Sequence, residues 1–401
     1  MKFAYLIHTF PLYSLTFIVE EIEELRKLGC NITIFSVKPP KINEYPENFQ
    51  YLQQQTKYIL PFNVFTLLKR NLFTLFTKPK AYIKTLYFIL SRPNQNLISR
   101  VKSLLYFIEA VYFYPMYKAS GCGHLHVHFM FGGATIALVL HKLFGINYSV
   151  TAHGTDILVN KHLLGEKILN SRFVRIATQY NANILNQFPD VSNSGKLFLL
   201  SFGIDTNSIH NTLPIDIKKP TTTIKIINVG RFVWQKNHLL LIDAINILKQ
   251  QGYNFTLDII GDGELRAEIE QSIDAKNLSS YIHLLGALPR QEVFKHMAQA
   301  DIFVLSSVSE GSPIVLLEAM SCKVAIVAPY LTGIPEIIEH DKTGLLFEVG
   351  NAEDLADKLS TLLINTKKRQ QLAESANEVV LNQYNARQKY QCLFDKLKEN
   401  Y

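Results

Sequence analysis

Two glutamates, Glu310 and Glu318, bracket the stretch of this chain with the most chemical content, Ser306-Ser307-Val308-Ser309-Glu310-Gly311-Ser312-Pro313-Ile314-Val315-Leu316-Leu317-Glu318-Ala319-Met320. An apolar strand over 301–305 runs into a polar loop. Gly311 allows a tight turn, and Ser312 and Pro313 are expected as the cap and first residue of a helix. The start of such a helix, around Ile314, presents unpaired N–H groups and a positive dipole end, a seat for a phosphate. Glu310 stands just before that seat. Glu318 lies inside an apolar run, where a carboxylate is expensive to bury without a partner. Neither acid can hold a phosphate. Both suit hydroxyl groups on either side of one, those of a ribose and of a sugar. The plainer reading is a helix N-terminus with two solvated acids.

A second constellation supplies positive charge. Gly230-Arg231-Phe232-Val233-Trp234-Gln235-Lys236-Asn237 links a strand, 224–229, to a helix ending near Gly252. Arg231 and Lys236 across a strand–helix turn can close on a diphosphate from two sides, one as a planar fork and one as a point charge. Surface salt bridging is the alternative. Gly261-Asp262-Gly263 follows the next strand and by itself is weak evidence for a nucleotide, because the third glycine of the dinucleotide fingerprint is missing. His124, His126 and His128 alternate along a strand and share a face. A zinc triad or ordinary strand packing would both fit them. His153 and Asp156 follow the strand 148–152, at the strand end where open α/β sheets bind ligands.

These motifs, in this order, resemble the retaining GT-B glycosyltransferases of sequence family four, and among them bacterial colanic-acid and exopolysaccharide biosynthesis enzymes. Glu-x7-Glu, Gly-Arg-x4-Lys, Ala152-His153-Gly154-Thr155-Asp156 and the opening Phe-Pro-x-x-Ser-x-Thr-Phe-Ile over 10–18 carry the resemblance. It implies two Rossmann-like domains facing across a cleft. It assigns 1–210 to an acceptor-side domain, 224–382 to a nucleotide-sugar domain and 383–401 to a terminal helix crossing back to the first domain. It further implies that Gly230, Arg231, Lys236, Gly261, Gly263, Leu288, Pro289, Glu310, Gly311, Ser312, Pro313, Ile314 and Glu318 bind the donor. His153, Glu310, Arg231 and Lys236 would be catalytic. Ser14, His128, His153 and Asp156 would lie on the acceptor or sugar side, Asp156 either binding acceptor or holding His153. The donor would be a UDP- or GDP-sugar and the acceptor a glycan or polyprenyl-linked glycan. No metal or other cofactor is expected, and no Asp-x-Asp is present to hold one. A nucleotide-sugar epimerase of the same fold and a non-catalytic sugar-nucleotide-binding scaffold are the alternatives.

The elements that must position these groups read as alternating strands and helices, hence parallel sheets. At 401 residues, 48% hydrophobic and 19% charged, the chain has the length and composition of a globular protein of two or three domains. Met1–His8 reads as a strand rather than a signal peptide, and no apolar run reaches the roughly 18 residues of a membrane span. Cys30, Cys122, Cys322 and Cys392 are scattered, as expected of reduced thiols in the cytoplasm. The net charge of +7 is concentrated: residues 57–118 carry ten basic side chains and one acid, Glu109. Three helices are expected there, near 63–77, 80–91 and 97–117, mixing Phe, Tyr and Leu with Lys and Arg. Such a segment either packs as core with a solvated basic face or lies on an anionic membrane. The second reading places the protein peripherally on the inner face of the cell membrane. No nucleic-acid-reading motif is present.

Overall fold

The computed structural model describes residues 1–12, 15–41, 49–92, 96–158, 162–212 and 223–401. The chain forms two compact units, Met1–Leu200 with Tyr390–Tyr401, and Ser201–Lys389.

The first unit holds β1 (Lys2–Thr9), β2 (Asn31–Lys38), β3 (Lys57–Tyr58), β4 (His124–His128), β5 (Tyr148–Thr151), β6 (Val174–Ile176) and β7 (Leu197–Leu199). All pair in parallel in the order β3-β2-β1-β4-β5-β6-β7. The order reverses between β1 and β4, so the carboxyl ends of these strands open a crevice. The helices that matter below are α1 (Thr16–Lys27), α2 (Gln50–Gln55), α3 (Val64–Thr77), α4 (Pro79–Leu90), α5 (Leu97–Ser120) and α6 (Gly132–Phe144). α1 follows its apolar periodicity, burying Ile18, Val19, Ile22 and Leu25, and also Glu21. α6 is apolar almost all round and is correspondingly buried under the sheet. The helix Ala386–Glu399 brings Leu393 and Leu397 into the same core cluster as Phe3, Tyr5 and Ile18. β3 and α2 are elements the sequence pattern did not suggest; two and six residues are too short to show a period.

The second unit has β8 (Ile224–Val229), β9 (Phe255–Ile260), β10 (Ile282–Gly286), β11 (Ile302–Val304), β12 (Ala325–Pro329) and β13 (Leu345–Phe347). They form a parallel sheet in the order β10-β9-β8-β11-β12-β13, reversing between β8 and β11. Its strands are near-continuous apolar runs because helices cover both faces. All four cysteines are free thiols.

Candidate functional site

In the second unit the polar residues gather at the carboxyl ends of β8, β11 and β12. Lys236 closes a single 3-10 turn, Trp234–Lys236, and its Nζ donates to Glu310 Oε1 at 2.6 Å. Ser307 Oγ donates to the same oxygen, also at 2.6 Å. Thr332 Oγ1 donates to the Glu310 carbonyl at 2.8 Å, and Ser306 Oγ to the Lys236 carbonyl at 2.8 Å. Three strand-end loops are therefore cross-linked around Glu310, two through its carboxylate and one through its backbone carbonyl.

The glycines act one step earlier. Gly230 N donates to Ile260 O, and Phe232 N donates to Asp262 O, each at 3.0 Å, so the β8 and β9 loops lie against each other. A Cβ on Gly261 would stand 1.9 Å from the Gly230 carbonyl oxygen, and one on Gly263 would stand 2.6 Å from that of Phe232. Both positions need glycine for loop-on-loop packing, whatever else approaches them. Arg231 points to solvent beside the fully buried Phe232.

Ser312 is not the helix cap. Pro313 takes that place at φ −71°, ψ 105°, the helix runs over Ile314–Ser321, and no side chain caps it. Proline's fixed φ is compatible with the extended cap position. The helix thus starts without a side-chain cap, and of its first-turn N–H groups Leu316 N donates back to the Pro313 carbonyl at 3.1 Å. Glu318, one turn in, has the partner its burial demands: Arg290 Nη2 donates to its Oε1 at 3.2 Å. Burial pushes this carboxyl up, and Arg290 pulls it back. Arg290 opens the helix Arg290–Gln299, whose cap is the exposed Pro289; Leu288 is half-buried against the core. Sequence reading missed Arg290, although a lone glutamate on an apolar helix called for a cation.

In the first unit the polar groups run through the core. His124, His126 and His128 are buried along one face of β4. His126 lies between Ser149 Oγ, 2.7 Å from Nδ1, and Thr151 Oγ1, 2.9 Å from Nε2; His124 Nε2 is 2.8 Å from the same Ser149 Oγ. His128 Nε2 is 3.0 Å from Glu21 Oε1. Glu21 also accepts from Tyr5 Oη at 3.0 Å and from Arg175 Nη1 at 2.6 Å. Burial alone would raise the Glu21 carboxyl, but His128 and Arg175 hold it below the ordinary carboxylate range. Ligand atoms of Glu21, His126 and His128 lie within 4.8 Å of one another, a spacing a cation could use. Yet both His126 nitrogens already meet hydroxyls, and Arg175 already supplies the positive charge. Burial pushes His124 down to about 4 and His126 well below its usual value, so both are neutral.

His153 follows β5. Its ring stacks on Phe129 at 4.2 Å and lies 5.8 Å from that of His128. Burial, then His128 and Arg175, keep the imidazole neutral. Asp156 is fully buried and braces this loop: its Oδ2 accepts from His153 N and Met130 N, both at 2.9 Å. Burial raises its carboxyl to about 7 against the pull of those two N–H groups. Lys167, equally buried, donates to Met130 O at 2.6 Å and His162 O at 2.9 Å, and His162 Nε2 is 2.8 Å from Ser103 Oγ of α5. Hydrogen bonds thus run from α5 to the backbone of His153. Ser14 lies outside the described residues. Glu21, Arg175 and Lys167 were not anticipated. Glu21 had a signal, since it falls on the apolar face of α1 between Ile18 and Ile22.

Residues 211–379 match the family model of the glycosyl transferases group 1. An uncharacterised glycosyltransferase of Methanocaldococcus jannaschii is 30% identical over 65% of this chain and 71% of its own length. The chain belongs to the group 1 glycosyltransferases. The amylovoran biosynthesis glycosyltransferase AmsK of Erwinia amylovora is 28% identical over 89% of each chain. The N,N'-diacetylbacillosaminyl-diphospho-undecaprenol alpha-1,3-N-acetylgalactosaminyltransferase of Campylobacter jejuni is 26% identical over 95% of this chain and 90% of its own. The fold is that of Anabaena HepE in complex with UDP, with a TM-score of 0.71 at 17% identity and full coverage of both chains. The two parallel-sheet units of this glycosyltransferase are accordingly those of the GT-B fold.

Proposed function

We propose that this glycosyltransferase moves a hexose from a UDP- or GDP-sugar to a hydroxyl of a polyprenyl-linked glycan in bacterial surface-polysaccharide synthesis. The observation that carries the reading is the Lys236–Glu310–Ser307 cluster beside the uncapped helix start at Ile314. Relatives named for amylovoran biosynthesis and for N-acetylgalactosaminyl transfer to a diphospho-undecaprenol sugar support the acceptor class. The protein would work peripherally at the inner face of the membrane, meeting anionic lipid through residues 57–118.

In this reading Arg231, Lys236 and the first-turn N–H groups of the helix at Ile314 stabilise the departing diphosphate, in place of a metal ion. Gly311, Ser312 and Pro313 bring the backbone close to it. Gly230, Gly261 and Gly263 shape the loops around it, and Leu288 and Pro289 line the base. Glu318, held by Arg290, accepts from the ribose hydroxyls. Glu310 and the neutral His153 orient the transferred sugar. Asp156 positions His153, and His128 supports its ring. The anomeric carbon–oxygen bond to the diphosphate breaks and a bond to the acceptor oxygen forms on the same face. The acceptor proton passes to the departing phosphate oxygen. No carboxylate is singled out as a nucleophile, which favours this front-face route over double displacement.

The test is product analysis by NMR, after incubation with UDP- and GDP-hexoses and a short polyprenyl-diphosphate glycan, with and without EDTA. A product of the donor's own anomeric configuration, formed equally with EDTA, is expected. The opposite anomer would overturn retention, and loss of product with EDTA would overturn metal independence. Sugar epimerised or released without acceptor would replace transfer altogether.

A further inference from the structure

Helices α3, α4 and α5 are built the wrong way round for water. The buried residue of α3 is Thr74, while Phe65, Leu68, Leu72, Phe73 and Phe76 are exposed, Phe65 by 85% and Phe76 by 79%. α4 buries Thr85 beside Ile89 and exposes Ile83 and Tyr87. The first half of α5 buries Ser103 and turns out Leu97, Ile98, Val101 and Leu105. On α3 the apolar side chains recur every three or four residues, a continuous stripe along one side. A contiguous apolar face of this kind marks an interaction surface rather than ordinary scatter.

The charge on the same helices selects the partner. Lys69, Lys80, Lys84, Arg100 and Lys102 are exposed among the apolar residues. α3 and α4 contain no acid at all, and α5 contains Glu109 alone, whose carboxyl burial raises to about 7. A second copy of this chain would set one basic face against another. Among the described residues no helix is long and apolar enough to cross a membrane, so these helices could lie on a bilayer but not span one.

We propose that α3 and the first half of α5 insert their exposed faces into the interface of an anionic phospholipid bilayer. Phe65, Phe73 and Phe76 enter the acyl region, and Lys69, Lys80 and Lys84 meet the headgroups. The inference deepens the peripheral localisation proposed above and rests on that reading, but its test needs no turnover.

The full chain is floated with vesicles of phosphatidylglycerol and phosphatidylcholine, and with vesicles of phosphatidylcholine alone. Two variants accompany it, Phe65→Ser/Phe73→Ser/Phe76→Ser and Lys69→Gln/Lys80→Gln/Lys84→Gln. The substituted side chains are on the surface, so circular dichroism should match the parent. Binding to the anionic vesicles is expected, at least tenfold over the neutral ones. The serine variant should lose at least about tenfold of it. The glutamine variant should lose about a hundredfold at low salt. Unchanged vesicle binding by the serine variant overturns the proposal. So does a wild-type dimer in light scattering that the serine variant abolishes without vesicle binding, which would make the face a self-association surface. Thermal shift by nucleotide-sugars, measured on all three proteins, reports separately. If it is absent while vesicle binding holds, the donor assignment fails and the membrane surface stands.

Discussion

The two units share one architecture and place their polar residues in opposite ways. In the second unit the ionic groups sit at strand ends, partly open: the Lys236 and Glu310 side chains are 23% and 10% exposed. In the first unit a charge ladder is sealed inside, with Glu21 and Arg175 each 1% exposed and three buried histidines in line along β4. An open ion pair can exchange its partner for a ligand. A sealed one can only hold position, because removing either member strands a charge without water. The same sheet topology thus carries a partly open ion pair in one unit and a buried charge ladder beside His153 in the other.

The contrast can be broken by substitution. The largest effect is expected from Glu21→Ala, which strands Arg175 in the core; the first unit should lose about 3–5 kcal/mol in urea unfolding. An effect below about 1 kcal/mol would show that the ladder is solvated. Lys236→Ala should leave unfolding almost unchanged and lower turnover about 10²–10³-fold. A loss under tenfold would separate Lys236 from the leaving group. Arg290→Gln removes the partner of Glu318 and should weaken nucleotide-sugar binding about tenfold in calorimetry. Equal affinity would mean that Glu318 does not touch the donor.

Acid sharpens the comparison by a smaller margin. His124 and His162 are each lowered to about 4, and His126 and His153 are lowered too. Their folded forms refuse protons that the unfolded chain takes up near 6.5, so stability is lost as pH falls from about 6.5 to 4. Asp156 and Glu109, both raised to about 7, act in the opposite sense and blunt the trend. The second unit has His238 in the same condition, also lowered to about 4. Melting followed from pH 7 to 4.5 should show the first unit's transition falling further. Parallel falls would refute the sealed-core account.

Most elements were legible because their periods are long. The strand expected over 224–229 and the helix expected near 63–77 appear as Ile224–Val229 and Val64–Thr77. Chemistry tied to a local motif was legible too: Glu310 and Lys236 were singled out from separate motifs, and the fold brings them into contact. What stayed hidden depends on side chains distant in sequence. Arg290 reaches Glu318 from another helix, and Arg175 reaches Glu21 from the far side of the sheet order. The shift of the cap from Ser312 to Pro313 turns on one backbone angle that composition does not encode. For residues 57–118 the sequence left open whether the apolar face was core or surface; buried threonine against exposed phenylalanine answers that for α3.

The Lys236–Glu310 pair has a consequence for selectivity. Lys236 is already neutralised by a carboxylate attached to the same fold, an internal counterion at high effective concentration. A free phosphate from the medium competes against that tethered anion with little else to gain. A diphosphate that also engaged the helix at Ile314, with its ribose on Glu318 as proposed above, would not face the same handicap. In the proposed donor site Glu310 would therefore act as a threshold: weakly bound anions would leave the ion pair intact, and only a multiply anchored ligand would take the lysine away.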